Sequence, residues 1–288
     1  MAALISVITL THNKVEYTEK CLSSLLDTFY SPWELIVVDN GSTDGTRAWL
    51  AKFRQTAEQA GVGFRAILNA GNIGCSTARN QGIAKARGDK LVFIDNDVAL
   101  RTRRWLYELG ECLDKGKNIG IVGPKLVYPF KPYAIQCAGA AVSPSGKVQF
   151  MGRGAARDDI RFNTKREVQC LISACFMIKK SVVEETGGFD EAFNPVEYED
   201  IDLCYRVRSK GYRIIYAPSV EMYHFESVTT NGTPSLPNTY HIIKNGLLFK
   251  KRWRHIFEKE NGPSNDECKW RNIPACDLAS VKELPIVG

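Results

Sequence analysis

Short apolar segments alternate with amphipathic helical segments through the first third of the chain. Strand-like runs cover residues 4–9, 34–38, 64–68 and 90–94, and a helix-like segment follows each of the first three. Asn13 is expected to cap the first helix, with Glu16 three residues on as its capping-box partner. The alternation is typical of a parallel α/β sheet, whose ligands bind outside the carboxyl ends of the strands.

Polar residues follow three of the predicted strands, namely His12-Asn13, Asp39-Asn40 and the triplet Asp95-Asn96-Asp97. Two acidic side chains one residue apart in an extended segment point the same way and can bind a hard cation such as Mg²⁺ or Mn²⁺. Taken alone, such a triplet is more often an acidic turn that caps the next helix. Neither glycine-rich nucleotide-binding pattern is present, so a nucleotide would have to be bound by other groups.

The composition is that of an ordinary globular protein. Of the 288 residues, 44% are hydrophobic and 24% are charged, which suits one large α/β domain or two small ones. No uncharged apolar stretch approaches the roughly 20 residues of a membrane-spanning helix, and the start lacks the basic region of a signal peptide. A cytoplasmic protein is therefore expected. The net charge of +6 suits an anionic substrate or an anionic lipid surface, but it is too small to indicate nucleic acid as a partner.

The chain is expected to divide into a domain over residues 1–230 and a C-terminal extension over residues 231–288. Within the domain, residues 1–99 would form the nucleotide-binding half and residues 100–230 the acceptor-binding half. The extension contains a basic amphipathic segment, predicted to be helical from about Tyr240 to Phe257. Its apolar stripe either packs on the core or touches anionic lipid as a peripheral membrane contact, and both interpretations remain open.

Seven motifs together resemble one known family. They are Ile5–Asn13, Val37–Asp44, Asn72–Gly74, Phe93–Asp97, Gly187–Phe193, Glu199–Arg206 and Tyr223–His224. In this order and at this spacing, the chain resembles the family 2 glycosyltransferases of GT-A fold, in particular bacterial rhamnosyl- and galactofuranosyl-type enzymes. The resemblance covers residues 4–255. It implies an α/β fold with a Rossmann-like mixed central sheet flanked by helices and followed by a C-terminal helical extension.

The resemblance also implies a nucleotide site and a metal site. The nucleotide site would comprise Thr9, Thr11, His12, Asp39, Asn72, Gly74, Arg79, Asp95 and Asn96. Asp39 would accept a hydrogen bond from the base, and Asn96 would be a spacer whose replacement matters least. Asp97 and His224 would be ligands of Mn²⁺ or Mg²⁺, with the imidazole favouring Mn²⁺.

On the acceptor side, the resemblance implies that Asp200 is the general base and that Glu199 contacts the acceptor or tunes Asp200. Gly187, Gly188 and Phe189 would form a floor under the acceptor, because glycines allow close approach. The reaction implied is a single inverting displacement that moves a sugar from a nucleotide diphosphate sugar to a hydroxyl of a saccharide or a lipid-linked acceptor. UDP is the first choice of nucleotide, with dTDP and GDP as alternatives.

Two other functions stay open from the residues themselves. A sugar nucleotidyltransferase would share the sheet and the metal-bound carboxylates, but it needs a glycine-rich loop with Arg and Lys near the first strand. The corresponding segment here is Thr9–Asn13. A non-catalytic nucleotide-sugar-binding module on the same fold is the other alternative.

Overall fold

A computed structural model describes residues 2–226, 238–268, 271–273, 276, 278–281 and 283–288. Its strands are β1 (Ile5–Thr11), β2 (Trp33–Asp39), β3 (Gly63–Leu68), β4 (Lys90–Asp95), β5 (Val98–Leu100), β6 (Ile119–Val127), β7 (Ile135–Cys137), β8 (Ala140–Val142), β9 (Val148–Phe150), β10 (Arg166–Glu167), β11 (Cys175–Lys179) and β12 (Arg213–His224). Its helices are α1 (Val15–Leu25), α2 (Thr46–Gln59), α3 (Cys75–Lys85), α4 (Trp105–Asp114), α5 (Lys180–Thr186), α6 (Glu199–Ser209) and α7 (Asn238–Phe257). The four strands and the α/β alternation predicted for the first third of the chain are confirmed.

One mixed sheet organises the molecule, and its strands run in the order β10-β12-β6-β11-β4-β1-β2-β3. Strands β1 to β4 pair in parallel, whereas β11 runs antiparallel to both β4 and β6. Strand β12 pairs in parallel with β6, so it runs in the same direction as β4. The carboxyl ends of β1, β2, β4 and β12 therefore meet at one edge of the sheet.

The central strands are apolar on both faces because helices cover both. Every residue of β2 is buried, as expected for a parallel strand packed on two sides. A side chain added at Gly82 of α3 would meet Ile8, whereas Thr18 of α1 contacts Thr11. Since Ile8 and Thr11 are three residues apart in β1, they point to opposite faces of the sheet. The mixed sheet flanked by helices implied by the resemblance is confirmed.

The predicted capping box of α1 is wrong. The helix begins at Val15, and its first turn follows Asn13 and Lys14, which both adopt left-handed backbone conformations. The Asn13 side chain instead accepts hydrogen bonds from the backbone N–H groups of Thr43 (2.8 Å) and Asp44 (3.3 Å). A tertiary contact takes the oxygen that the local pattern assigned to the helix cap, and it joins the loop after β1 to the loop after β2.

The two predicted halves share this sheet, because β4 of the first half pairs with β11 of the second. The predicted boundary at residues 230 and 231 lies outside the described residues. Beyond it, α7 confirms the predicted amphipathic helix and buries Phe249 and Phe257 in the main core. Among the described residues, no helix is both long and apolar enough to cross a membrane.

Candidate active site

Three potential metal ligands converge where β4 and β12 end. Ligand atoms of Asp95, Asp97 and His224 all lie within 4.8 Å of one another, and His224 Nε2 is 3.5 Å from Asp97 Oδ1. Strand β5 begins directly after Asp97 and pairs with β12 so that Val98 lies opposite His224. This register brings together ligands that are more than a hundred residues apart in sequence.

The second ring nitrogen of His224 is fixed by a buried polar chain. Its Nδ1 lies 3.3 Å from Gln136 Oε1, and Gln136 Nε2 donates to Glu226 Oε1 at 3.0 Å. Arg153 then donates twice to the Glu226 carboxylate, at 2.6 and 2.9 Å. If Nδ1 carries the proton and donates it to Gln136, the lone pair of Nε2 points toward the two aspartates. Partners of this kind orient metal-binding histidines in proteins.

The electrostatics of the group are those of acids crowded together. Burial by itself lowers the pKa of His224, but the negative charges of Asp97 and Asp95 outweigh it, and the net shift is upward. Burial, reinforced by the Asp97 charge, raises the pKa of Asp95 against the opposing effect of Arg79. Two carboxylates and one imidazole fit Mn²⁺ well and Mg²⁺ less well, because Mg²⁺ prefers oxygen ligands alone.

One buried arginine joins this group to Glu199, which was predicted to lie on the acceptor side. Arg79, in α3, donates from one guanidinium nitrogen to Asp95 Oδ1 at 3.0 Å and from the other to Glu199 Oε1 at 2.6 Å. Its guanidinium also lies 5.2 Å from the ring centre of Phe189. Both partners keep the arginine charged, because carboxylates offset the cost of burying the cation. The acidic triplet after β4 and the acidic pair that opens α6 are therefore parts of one site.

Asp200, the predicted general base, is held by two backbone N–H groups and has a raised pKa. Its carboxylate accepts hydrogen bonds from the backbone N–H groups of Ser173 (2.9 Å) and Ile201 (2.7 Å), which fix its orientation. Burial first, and the neighbouring charge of Glu199 second, raise its pKa to about 7. Glu199 itself is 4% exposed and paired with Arg79, so tuning of Asp200 describes its position better than direct contact with an acceptor.

The predicted base-binding residue Asp39 is fully buried and has a partner that the sequence reasoning missed. Arg47, in the first turn of α2, donates to Asp39 Oδ2 at 2.6 Å and also to the carbonyl of Asn69. The backbone N–H of Ser42 approaches both carboxylate oxygens at 3.3 Å. A cation eight residues after an acid carries no local signal in the sequence, because the pairing depends on how the loop after β2 folds.

Hydrogen bonds tie the remaining nucleotide-side residues into a frame. His12 Nδ1 lies 2.9 Å from the Asn40 carbonyl, and the Asn40 amide donates to Asn72 Oδ1 at 2.9 Å. Asn72 Oδ1 also accepts from the backbone N–H of Gly74 at 2.9 Å. A side chain at Gly74, where φ is +88°, would collide with Asn194, so glycine is required there. His12, Asn72 and Gly74 thus lie together, and their role in binding a nucleotide stays a prediction.

Asn96 is not a mere spacer. Its side chain is buried, and its amide donates to the hydroxyls of Thr18 (3.0 Å) and Thr11 (3.4 Å) on the inner side of the turn. The Thr11 and Thr18 hydroxyls are 2.9 Å apart, so the three side chains form one buried network. Thr9 is also buried, and its hydroxyl has no hydrogen-bond partner within the described parts of the chain. Thr11 and Asn96 therefore support the loops of the site from beneath.

Gly187 and Gly188 were expected to allow close approach of an acceptor, but their backbone conformation is itself a reason for glycine. Gly187 ends α5 in the left-handed conformation (φ +85°), and Gly188 follows with φ +72°, so both positions favour glycine. A side chain at Gly188 would approach Asn80 Oδ1 to 2.7 Å. Phe189 is 1% exposed and packs edge-on against Phe93, which leaves no surface for direct contact with an acceptor. Phe189 supports Arg79 from below instead.

Comparison with known proteins assigns the class of enzyme that this fold and site define. The model of the family described as "Glycosyl transferase family 2" matches residues 6–187, which is more than half of the chain. The chain belongs to this family and is a glycosyltransferase enzyme. Membership favours sugar transfer over the nucleotidyltransferase and the non-catalytic module.

Two relatives illustrate the range of the family. An uncharacterized protein of Sinorhizobium fredii, y4gI, is 29% identical over 258 residues, and the match covers 87% of this chain but only 28% of that protein. The N-acetylglucosaminyl-diphospho-decaprenol L-rhamnosyltransferase of Mycobacterium tuberculosis is 27% identical over 254 residues, or 82% of this chain and 80% of the relative.

Solved structures share the fold at lower identity. The mannosyltransferase PcManGT of Pyrobaculum calidifontis, in complex with GDP-Man and Mn²⁺, aligns with a TM-score of 0.56 at 19% identity over 88% of this chain and 70% of its own. GalNAc-T7 with UDP, GalNAc and Mn²⁺ aligns with a TM-score of 0.68 at 15% identity over 89% of this chain and 49% of its own. These likenesses establish the GT-A fold.

Proposed function

We propose that the chain is an inverting, divalent-metal-dependent glycosyltransferase that moves a sugar from a nucleotide diphosphate sugar to a hydroxyl of a saccharide or lipid-linked acceptor. One observation carries the proposal. Arg79 is paired at once with Asp95, in the candidate metal group, and with Glu199, the neighbour of the candidate base. A direct displacement at an anomeric carbon requires a metal-bound leaving group on one side of a cleft and a proton acceptor on the other.

In this mechanism, Asp200 accepts the proton of the acceptor hydroxyl as its oxygen attacks the anomeric carbon. The bond from that carbon to the nucleotide diphosphate breaks, and the configuration inverts. A pKa of about 7 leaves a substantial fraction of Asp200 ionised at neutral pH, while making it a stronger base than an ordinary aspartate. When bound by Asp97 and His224, with Asp95 beside them, a divalent cation would stabilise the charge that develops on the departing diphosphate.

The donor and acceptor are proposed from chemistry and relatives together. UDP remains our first choice of nucleotide, with dTDP and GDP as alternatives. The mycobacterial relative is named for rhamnosyl transfer to a lipid diphosphate sugar, and it matches over most of both chains. That supports rhamnosyl or a similar transfer to a lipid-linked acceptor here. Comparing the thermal stability of the protein with UDP, dTDP, GDP and CDP, each with and without Mn²⁺, would identify the nucleotide, because a ligand of the native state raises apparent stability.

Two substitutions test the assigned roles. Asp97→Asn should abolish Mn²⁺-dependent nucleotide binding and turnover, whereas Asp200→Asn should abolish transfer while nucleotide binding persists. Asp27→Asn, at an exposed carboxylate beyond the far end of α1, is the matched control and should behave as the parent enzyme. Full transfer activity in either of the first two variants would refute the corresponding role.

A further inference from the structure

The N-terminal half of α7 exposes large apolar side chains. Tyr240, Ile243 and Leu247 are 57%, 58% and 63% exposed, and Ile242 is 41% exposed. Separations of three and four residues place Tyr240, Ile243 and Leu247 along one side of the helix, which we call the outer face of α7. Contiguous exposed apolar surface of this kind marks an interaction site, whereas single exposed residues do not.

Basic side chains share the outer face. Lys251 and Arg254 are exposed, and helical periodicity places them beyond the apolar residues on the same side. Lys244 is exposed too, but its Nζ donates to the Asn194 carbonyl at 3.4 Å and so is directed away from the outer face. Arg254 lies 3.5 Å from the exposed carboxylate of Glu258, a surface pair that contributes little and leaves the face basic overall. An apolar strip bordered by lysine and arginine is the composition of helices that lie in a membrane interface.

The inner side of α7 lies against the segment that leads into Asp200. The buried amide of Asn245 donates to the backbone carbonyls of Phe193 (2.6 Å) and Val196 (2.8 Å). Phe249 packs against Tyr198, the residue before α6, with ring centres 5.5 Å apart. A surface bound to the outer face of α7 would therefore be one helix diameter from the loop that positions the candidate base.

We infer that the outer face of α7 is a docking surface for an anionic lipid bilayer. Charge complementarity selects this occupant, because a lysine and an arginine beside an apolar strip attract anionic headgroups while the apolar side chains enter the interface. Docking would hold the acceptor side of the cleft at the bilayer, where a lipid-linked acceptor presents its hydroxyl. This last step rests on the proposed function, whereas vesicle binding itself does not.

Vesicle co-sedimentation of the full chain tests the inference. Wild-type protein should bind vesicles that contain 30% phosphatidylglycerol and should bind phosphatidylcholine vesicles much more weakly. Ile243→Glu with Leu247→Glu should reduce binding at least about tenfold. Lys251→Gln with Arg254→Gln should reduce binding to anionic vesicles about 25-fold, since each basic residue contributes about fivefold. Ile160→Glu is the matched control, because Ile160 is 82% exposed elsewhere on the surface.

Absence of wild-type binding to anionic vesicles would overturn the inference, as would binding that the α7 variants leave unchanged. Self-association that the α7 variants abolish, without vesicle binding, would assign the face to a second copy of the chain and would also overturn it. Nucleotide binding and transfer to a soluble acceptor should be the same in wild type and in the α7 variants. Those two assays report on the proposed function, so its failure is distinguishable from failure of the docking surface.

Discussion

Replacing Glu199 with glutamine tests how the protein sets the pKa of its candidate base. Burial raises the pKa of Asp200 from an ordinary 3.8 to about 7, and the Glu199 carboxylate is the second cause. Glutamine keeps the length of the side chain and removes the charge. The positive charge of Arg79 lowers the pKa of Asp200. In the variant, the Glu199 carboxylate no longer offsets that charge, so its effect on Asp200 is stronger. Both effects move the pKa of Asp200 downward.

We expect a shift of roughly one pKa unit, equivalent to about 1.4 kcal/mol between the two protonation states. Because the base must be ionised, kcat/KM falls about tenfold for each pH unit below its pKa. At pH 6 the parent enzyme should keep about a tenth of its plateau activity, and the variant about half of its own plateau. The pH at which kcat/KM falls on the acidic side, which we call the acidic limb, is informative even if the altered Arg79 contact lowers the plateau value of kcat/KM.

The measurement is the pH dependence of kcat/KM at saturating Mn²⁺, accompanied by a ¹³C NMR titration of the aspartate carboxyl groups. Glu191→Gln is the matched control, because it removes an exposed acid from the segment before α6 and should leave the limb near pH 7. An acidic limb that stays in place, or moves to higher pH, in Glu199→Gln would refute the assignment of Glu199 as the residue that tunes Asp200.

Three further substitutions test the supports of the site. Gln136→Leu should weaken Mn²⁺ binding about 10- to 100-fold in a spectroscopic titration with nucleotide diphosphate, because His224 loses its orienting partner; unchanged affinity would contradict this. Asn96→Ala should lower the free energy of unfolding in urea by about 1–3 kcal/mol, since it removes buried hydrogen bonds, and a spacer would show no loss. Arg47→Ala should lower the free energy of unfolding by about 1–2 kcal/mol and weaken nucleotide binding, because the buried Asp39 carboxylate loses its cationic partner. The loss is moderate because the Arg47 side chain is 38% exposed to water. Unchanged stability would argue that the N–H of Ser42 is a sufficient partner for Asp39.

Local patterns predicted the elements because strand and helix periodicity is written in neighbouring residues. The first four strands were found within one or two residues of their ends, as was α7. The polar residues after β2 and β4 could be assigned to one edge of the sheet for the same reason, since parallel strands share a carboxyl edge. The motifs that carry the family resemblance are also short and contiguous, and they identified the fold and the enzyme class.

By itself, then, the amino-acid sequence determined the elements, the family and the list of acidic candidates. Only the tertiary structure decided which side chains meet. Arg79 is 120 residues from Glu199, and His224 reaches Asp97 only because β12 runs parallel to β6 and pairs with β5. Asn13 bonds to the loop after β2 and Asn96 turns inward to buried hydroxyls, where local patterns predicted a helix cap and a spacer. The physical reason is that buried polar groups need hydrogen-bond partners, and the order of the strands decides which groups lie near them. Strand order is not a local property of the sequence.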